Sequence, residues 1–565
     1  MERIRKTIIT AFFLLMIITV KSQFAYAGEI NYVRVGVGSS ASSIAVTGNN
    51  INVFFLIDGN FNKVGSIDSA GSFNISIDDY YYVSTGKIYN NYNSARNEAA
   101  QYSAQGYFCL PVLLESGEWS IYAGPVTTRA EAESIILAGV GSVVVDPTGK
   151  RLVLGSGNSR IALFENDRFS PYFSDSNTNT VIVNSNEYRG YLNAYRKNNS
   201  LTPVNVLPME EYLYSSVASE MPSSWHLEAL KAQSVASRCY AYSKLGAHAD
   251  SGYDLCSGDH CQIYHGLKQE KESATNAVNA TNGLVAYYGE ELINATFFSS
   301  SGGATDDSEN VWINAMPYLR GVIDSYDTTG KEWSRTFTLA ELTNLASLNN
   351  YAIGNVTGVK ISDASSNGRV QGLIIKGTAA NKVLTKEEIR TFFSKSTGGS
   401  LESRYFRLDQ FSVALTGGAA VNTNANSVVT TSTASSNLYV RGEGGSQQRD
   451  ADVISIINGS GNNISVAYID KVSLQSSSGQ YSMPVSTGTS VNTLPQTPNV
   501  SNTGGSATVS GGFASNSNTI TFAGKGWGHG VGMSQHGAKG MAEAGFTFEQ
   551  ILKHYYSGVE ILKIN

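Results

Sequence analysis

Alternating apolar and polar positions dominate the first part of the chain. From Asn31 to Ile77 short runs of this kind, among them Arg34-Val-Gly-Val-Gly38, are broken by Gly, Asn and Asp, and they predict a small β unit over residues 29–78. The period then changes. Tyr80–Val83 reads as a strand, Ser94–Gln105 as a helix, Phe108–Leu114 and Trp119–Ala123 as strands and Thr128–Leu137 as a helix, a βαββα order. Strands resume beyond Asp146 and lead through Tyr188–Asn193 to Leu207–Tyr212. A long amphipathic helix follows within Glu210–Lys244. Pro222 suits its first turn, and Ser223, Ser224 and Glu228 offer capping groups, which sets Glu220 at the mouth of the helix. Thr416–Asn437 and Ser476–Asn518 are rich in Ser, Thr, Asn and Gly with few apolar anchors, the composition of linkers. Between them Leu438–Val472 alternates again, which predicts a small β insertion within residues 413–519. The whole pattern is that of a β-rich, multi-domain α+β protein.

Composition sharpens this picture at the N-terminus. Arg3, Arg5 and Lys6 precede an apolar run from Ile8 to Val20, and Ala25-Tyr26-Ala27 has the small-x-small form of a signal-peptidase site, so residues 1–27 read as a secretory leader. An uncleaved anchor is the other reading. No other run approaches the roughly 20 apolar residues of a membrane span, so the mature chain is expected outside the cell, secreted or associated with the cell wall. The leader holds four cations and one acid, and its loss moves the formal charge from −6 to −9. An acidic chain of this kind does not point to nucleic acid as a partner. With 565 residues, 41% hydrophobic and 15% charged, there is ample material for several cores.

The four cysteines divide into two kinds. Cys109 lies in a predicted strand and Cys239 on the apolar part of the long helix, and both read as buried thiols. Cys256 and Cys261 instead share an eighteen-residue segment with His248, His260 and His265. Two thiolates and two imidazoles complete a tetrahedral zinc site, with Cys256, Cys261, His248 and His260 as the ligands and His265 as the alternate histidine. A Cys256–Cys261 disulfide, suited to an oxidising compartment, and free thiols are the competing readings.

Four ordered motifs carry a resemblance. The run Glu211–Tyr242, the segment Ser299-Ser-Ser-Gly-Gly303, Val311-Trp312 with Pro317-Tyr-Leu319, and the closing Gly526–Ala538 with Ile551–Tyr556 resemble the SpoIID/LytB family over about 185–410 and 520–562. The family domain is therefore expected in two parts, 146–412 and 520–565. The Trp119–Gly124 segment followed by Arg129-Ala-Glu-Ala resembles a SPOR-like peptidoglycan-binding module over residues 79–140, for which a ferredoxin-like structural insert is the plainer reading.

The family resemblance implies one of two activities. The first is a lytic transglycosylase that cleaves the β-1,4 bond between N-acetylmuramic acid and N-acetylglucosamine. The second is a non-catalytic enhancer of a cell-wall amidase, with glycan strands as ligand in both cases. A purely structural wall protein is a third reading, under which Glu220 is dispensable. Glu220 matches the family's acidic residue. One carboxyl group suffices for a transglycosylase, because the sugar's own C6 hydroxyl serves as nucleophile. Met221, Pro222 and Trp225 offer an apolar setting that raises its pKa, and the positive end of the following helix opposes this. Lys231 and Arg238, seven residues apart on one helix face, would hold a lactyl carboxylate, or else cap the helix and pair with nearby acids. Gln262 and Tyr264 match the family's QxY element and are expected to line the groove near Glu220. Ser301 and Gly302 suit a closely approaching sugar, and Trp527, His529 and Gln535 offer stacking and hydrogen bonds, although tight packing against the long helix explains the same glycines.

Overall fold

The computed structural model describes residues 32–48, 50–67, 71–166, 170–175, 178–397, 399–409 and 518–564, with five short strands between 438 and 474. The expected leader over 1–27 and the expected linkers at 416–437 and 476–517 lie outside these residues. The protein is a mixed, β-rich fold with several sheets. Among the described residues no helix is long and apolar enough to cross a membrane. The chain divides into two compact units, Met1–Lys331 with Lys525–Asn565, and Glu332–Gly524.

Two large sheets organise the first unit. A seven-stranded sheet runs in the order 255–256, 32–36, 200–208, 191–197, 172–175, 51–57, 60–67. A ten-stranded sheet runs 186–189, 180–183, 43–48, 71–77, 152–156, 159–164, 109–113, 119–126, 81–84, 143–145. The expected β unit at 29–78 is thus not separate. Its short strands cannot bury both edges alone, and Tyr32–Gly36 pairs antiparallel with Ser200–Pro208, in a register that sets Val33 against Leu207.

The segment at 79–140 shows the order strand Tyr81–Ser84, helix α1 (Tyr92–Ala104), strands Cys109–Leu113 and Trp119–Val126, and helix α2 (Arg129–Leu137). Thr128 begins α2 with a reciprocal capping box to Glu131. A further short strand, Val143–Val145, closes on Tyr81–Ser84. This segment is welded into the large sheet, because Cys109–Leu113 pairs in parallel with Ser159–Phe164. Cys109 is buried, as its strand position suggests.

Three helices follow strand 200–208: α3 (Met209–Glu220), α4 (Leu227–Ser243) and α5 (Glu272–Ala280), and the closing segment adds α6 (Gln535–Glu543) and α7 (Phe548–Tyr555). Helix α4 packs against the other four and against strand Leu284–Tyr288. It is therefore buried almost all round rather than along one stripe, which its small residues Ala229, Ala232, Ser234, Ala236 and Ser237 permit. One core joins Val33, Val35, Ile44, Val46 and Leu152 of both sheets to Leu213, Val217, Leu230 and Val235 of the helices.

The second unit has its own core, including Phe337, Leu342, Leu373, Phe392, Phe393 and Phe522. Strand Thr519–Gly524 pairs with both Trp333–Thr338 and Phe406–Asp409. The boundary expected at 412 falls inside this second unit, since strands 333–338 and 406–409 share the partner 519–524.

Candidate active site

Glu220 is the last residue of α3, not the first of α4. The link 221–226 separates them, and the cap of α4 is His226, whose Nδ1 accepts the Glu228 N–H at 3.2 Å, rather than Ser223 or Ser224. This changes the electrostatics expected from sequence. Glu220 sits at the negative end of its own helix, which disfavours the carboxylate. The half-buried side chain accepts one backbone N–H, from Ile263 at 3.2 Å. Burial pushes its pKa above the ordinary carboxylate range; the Ile263 N–H opposes this, Asp259 adds to it by repulsion, and a hydrogen bond from the Gln535 side chain opposes it. The net direction is upward, so the acid form is favoured.

Gln535 begins α6, and the structure brings it to Glu220 from the far end of the chain. Its neighbour His536 stacks edge-on against Trp225, with ring centroids 4.9 Å apart, and donates its backbone N–H to the Ser299 carbonyl at 3.0 Å. Lys539, one turn further on, places its ammonium 5.5 Å from the Trp225 ring. Lys331 donates to Ser299 Oγ at 2.7 Å and lies 5.6 Å from the Trp527 ring, and Trp527 is 48% exposed. Sequence reading missed Lys331 and Lys539. For Lys539 a signal existed, since it lies four residues after Gln535 on the same helix and so on the same face.

Several expected ligand contacts are turned inward instead. Arg238 has no exposed surface: Nε and Nη2 donate to the two Glu210 oxygens at 2.8 and 2.6 Å, and Nη1 donates to the Leu284 carbonyl at 2.9 Å. Its role is to pin α4 to α3 and to the following strand, which corrects the substrate reading. Lys231 pairs with Glu228 at 2.7 Å, and Glu228 accepts the Phe548 N–H at 2.7 Å, so this pair ties α4 to α7. Gln262 and Tyr264 are buried rather than lining a groove. Gln262 accepts from Tyr212 at 2.9 Å and donates to the Ser237 carbonyl at 3.2 Å, while Tyr264 donates to Asn205 at 2.7 Å. Between them they fix the backbone that offers Ile263 N–H to Glu220.

Ser301 and Gly302 are also engaged internally. Asp327, buried itself, accepts from the Ser300 hydroxyl at 2.6 Å and from the Ser301 and Gly302 N–H groups at 2.6 and 3.2 Å. Burial alone would raise the Asp327 pKa, but the Ser300 hydroxyl, the Gly302 N–H and their neighbours outweigh it and hold the carboxyl below its usual range. His529 donates from Nε2 to the Phe297 carbonyl at 3.1 Å and accepts the Val531 N–H at 3.1 Å, which fixes its neutral tautomer and its place in the loop. Tight packing accounts for glycines here: Gly532, at φ +79°, abuts the Thr296 carbonyl, and Gly537 abuts Tyr555 and Asp324.

The Cys/His segment forms one cluster. Ligand atoms of His248, Cys256, His260 and Cys261 all lie within 4.8 Å of one another. His248 Nε2 is 3.2 Å from Cys261 Sγ, His260 Nδ1 is 3.5 Å from Cys261 Sγ and 3.8 Å from Cys256 Sγ. Bond lengths of about 2.0–2.3 Å in a tetrahedral site put neighbouring donors roughly 3.5 Å apart, so the donor set fits one ion. Cys256 and Cys261 are not joined in a disulfide. His265 is exposed and outside the cluster, and its N–H donates to Ser215 Oγ at 3.2 Å. The cluster lies two residues from Ile263, on the same segment whose backbone N–H meets Glu220.

Comparison with known proteins converges on this region. The family model described as stage II sporulation protein, SpoIID, matches residues 197–288, which include Glu220 and all four Cys/His donors. The chain is 25% identical to stage II sporulation protein D of Bacillus subtilis over 375 residues, 63% of this chain and 75% of that protein. It is 28% identical to the amidase enhancer of Bacillus subtilis over 373 residues, 61% of this chain and 39% of that protein. An uncharacterized protein of Brachyspira hyodysenteriae is 26% identical over 388 residues, 68% of this chain and 74% of that protein. A domain match that spans the Glu220 site, joined to relatives named stage II sporulation protein D and amidase enhancer, supports the SpoIID/LytB family for this chain.

Proposed function

We propose that the protein is a peptidoglycan lytic transglycosylase. It cleaves the MurNAc-β-1,4-GlcNAc bond of denuded glycan strands and leaves 1,6-anhydromuramoyl ends, in cell-wall remodelling or sporulation. The observation that carries the reading is Glu220, a half-buried carboxyl group whose acid form is favoured and whose orientation is set by the Ile263 N–H. As general acid it gives its proton to the glycosidic oxygen while the C1–O4 bond breaks. As general base it then takes the proton of the C6 hydroxyl while the C1–O6 bond forms, so the proton balance closes on one residue.

Two accessory roles belong to the same proposal. His248, Cys256, His260 and Cys261 hold one structural zinc, which when bound cross-links the segment that carries Ile263 and takes no part in the chemistry. The SPOR-like segment at 79–140 adds contact with the glycan strand, and the leader at 1–27 directs the chain out of the cell to the wall. The relative named amidase enhancer favours a second reading, in which the same surface holds glycan and presents it to a wall amidase without cleaving it.

Mass spectrometry of denuded strands incubated with the protein and with a Glu220→Gln variant tests this. Anhydromuramoyl ends from wild type, falling at least 10²-fold in the variant, are expected. Binding without cleavage by both proteins gives the enhancer reading instead.

A further inference from the structure

We propose that Lys331 and Lys539 form a carboxylate-binding strip beside Glu220, which recognises the acidic group carried by a muramoyl residue. The proposal rests on the glycan reading above and names the substrate feature that the site selects.

The strip is continuous in its contacts. It runs from Glu220 to Gln535, then through His536 and Ser299 to Lys331 and Trp527 on one side, and through Trp225 to Lys539 on the other. Each ammonium lies against an indole face, 5.5 Å from Trp225 for Lys539 and 5.6 Å from Trp527 for Lys331. An aromatic face beside a cation is the pairing that a sugar ring bearing a carboxylate requires. Among the described residues neither lysine is paired with a buried acid: Lys539 pairs with Glu543 at 3.5 Å, and that carboxylate side chain is 56% exposed. Lys331 donates to a hydroxyl, Ser299 Oγ. Asp327, the nearby buried acid, is consumed by Ser300, Ser301 and Gly302. His536, between the two lysines, has its pKa lowered by burial and then by Lys331, so its ring is neutral, and its Nδ1 is buried without a hydrogen-bond partner.

The two cations expected from sequence to do this work, Lys231 and Arg238, are held by Glu228 and Glu210. Lys331 and Lys539 are two basic groups that the fold delivers to the same strip as Glu220. The carboxylate has two sources in peptidoglycan: the lactyl group of a denuded residue, or the peptide stem of a substituted one.

Calorimetric titration of the full chain carrying Glu220→Gln, which keeps the strands intact, separates these. The probes are denuded strands, peptide-bearing strands, and chitin oligomers of equal length, which lack the lactyl ether and its carboxylate. Denuded strands are expected to bind about three- to tenfold more tightly than chitin, a preference that falls with added salt. Adding Lys539→Gln or Lys331→Gln is expected to remove that preference, while Lys539→Arg retains it. Lys539 is partly exposed on a helix surface, so its replacement leaves the fold intact even where Lys331→Gln disturbs the loop at Ser299. Peptide-bearing strands that bind like denuded ones show that the strip accepts a stem carboxylate as well as the lactyl one, and binding at the chitin level restricts it to the lactyl group. Equal binding of denuded strands and chitin, or a preference that survives both substitutions, overturns the strip and leaves the glycan reading standing. Failure to bind any strand overturns both.

Discussion

On the proposed chemistry Glu220 donates a proton, and burial, the negative end of α3 and repulsion from Asp259 all act to raise its pKa. On the transglycosylase proposal, the rate of strand cleavage is expected to fall as pH rises through the raised Glu220 pKa. Asp259→Asn removes a raising influence and moves that limb of the kcat/KM profile to lower pH. The same variant separates one-carboxylate from two-carboxylate chemistry: anhydro ends at a rate reduced less than about tenfold are expected, whereas a loss of 10² or more would make Asp259 a partner in the reaction. The raised pKa also has a sign for stability. The folded state holds the proton more tightly than the unfolded chain, so stability is lost as pH climbs from the unfolded value through the folded one. Glu220→Gln is thus expected to raise Tm at pH 7–8 and to leave it unchanged below about pH 4. The gathering of His248, Cys256, His260 and Cys261 was legible from residue type and spacing. The fate of Arg238 was not, because helical spacing places a side chain on a face without saying which acid, here Glu210, lies opposite.

Helix α4 draws its position from ion pairs of unequal weight. The buried Arg238–Glu210 pair is expected to cost about 3–5 kcal/mol when broken by Arg238→Ala, read as a lowered denaturant midpoint, since it strands a partly buried carboxylate. Lys231→Met, at a partly exposed pair, is expected to cost about 1 kcal/mol or less and to leave strand binding intact. On the zinc proposal, one equivalent of metal is expected by elemental analysis, and Cys256→Ser is expected to lose it and to lower Tm. The elements themselves were largely readable from periodicity, as α1, α2 and α4 show. Their joins were not: Pro222 falls in the link between two helices, and a histidine caps α4 in place of the serines. Local sequence offered both, and tertiary packing chose.

At the scale of the whole chain, the second unit leaves and re-enters the first at one point. The Gly526 N–H donates to the Gly330 and Lys331 carbonyls at 2.8 and 3.1 Å. Replacing 332–524 by a short Gly/Ser connection is accordingly expected to leave the first unit folded, with its Tm changed by no more than a few degrees and glycan binding retained. That boundary was invisible in composition, whose shift comes only at 416, inside the second unit, because strands 333–338 and 406–409 alternate as the strands of the first unit do. The insertion also imposes an order in time. Glu220 is synthesised more than three hundred residues before Gln535 and Lys539. A nascent or truncated chain carries the acid without the helix that orients and flanks it. The assembled site is therefore a checkpoint of completeness, and on the proposed function strand cleavage stays silent until the last helices have emerged.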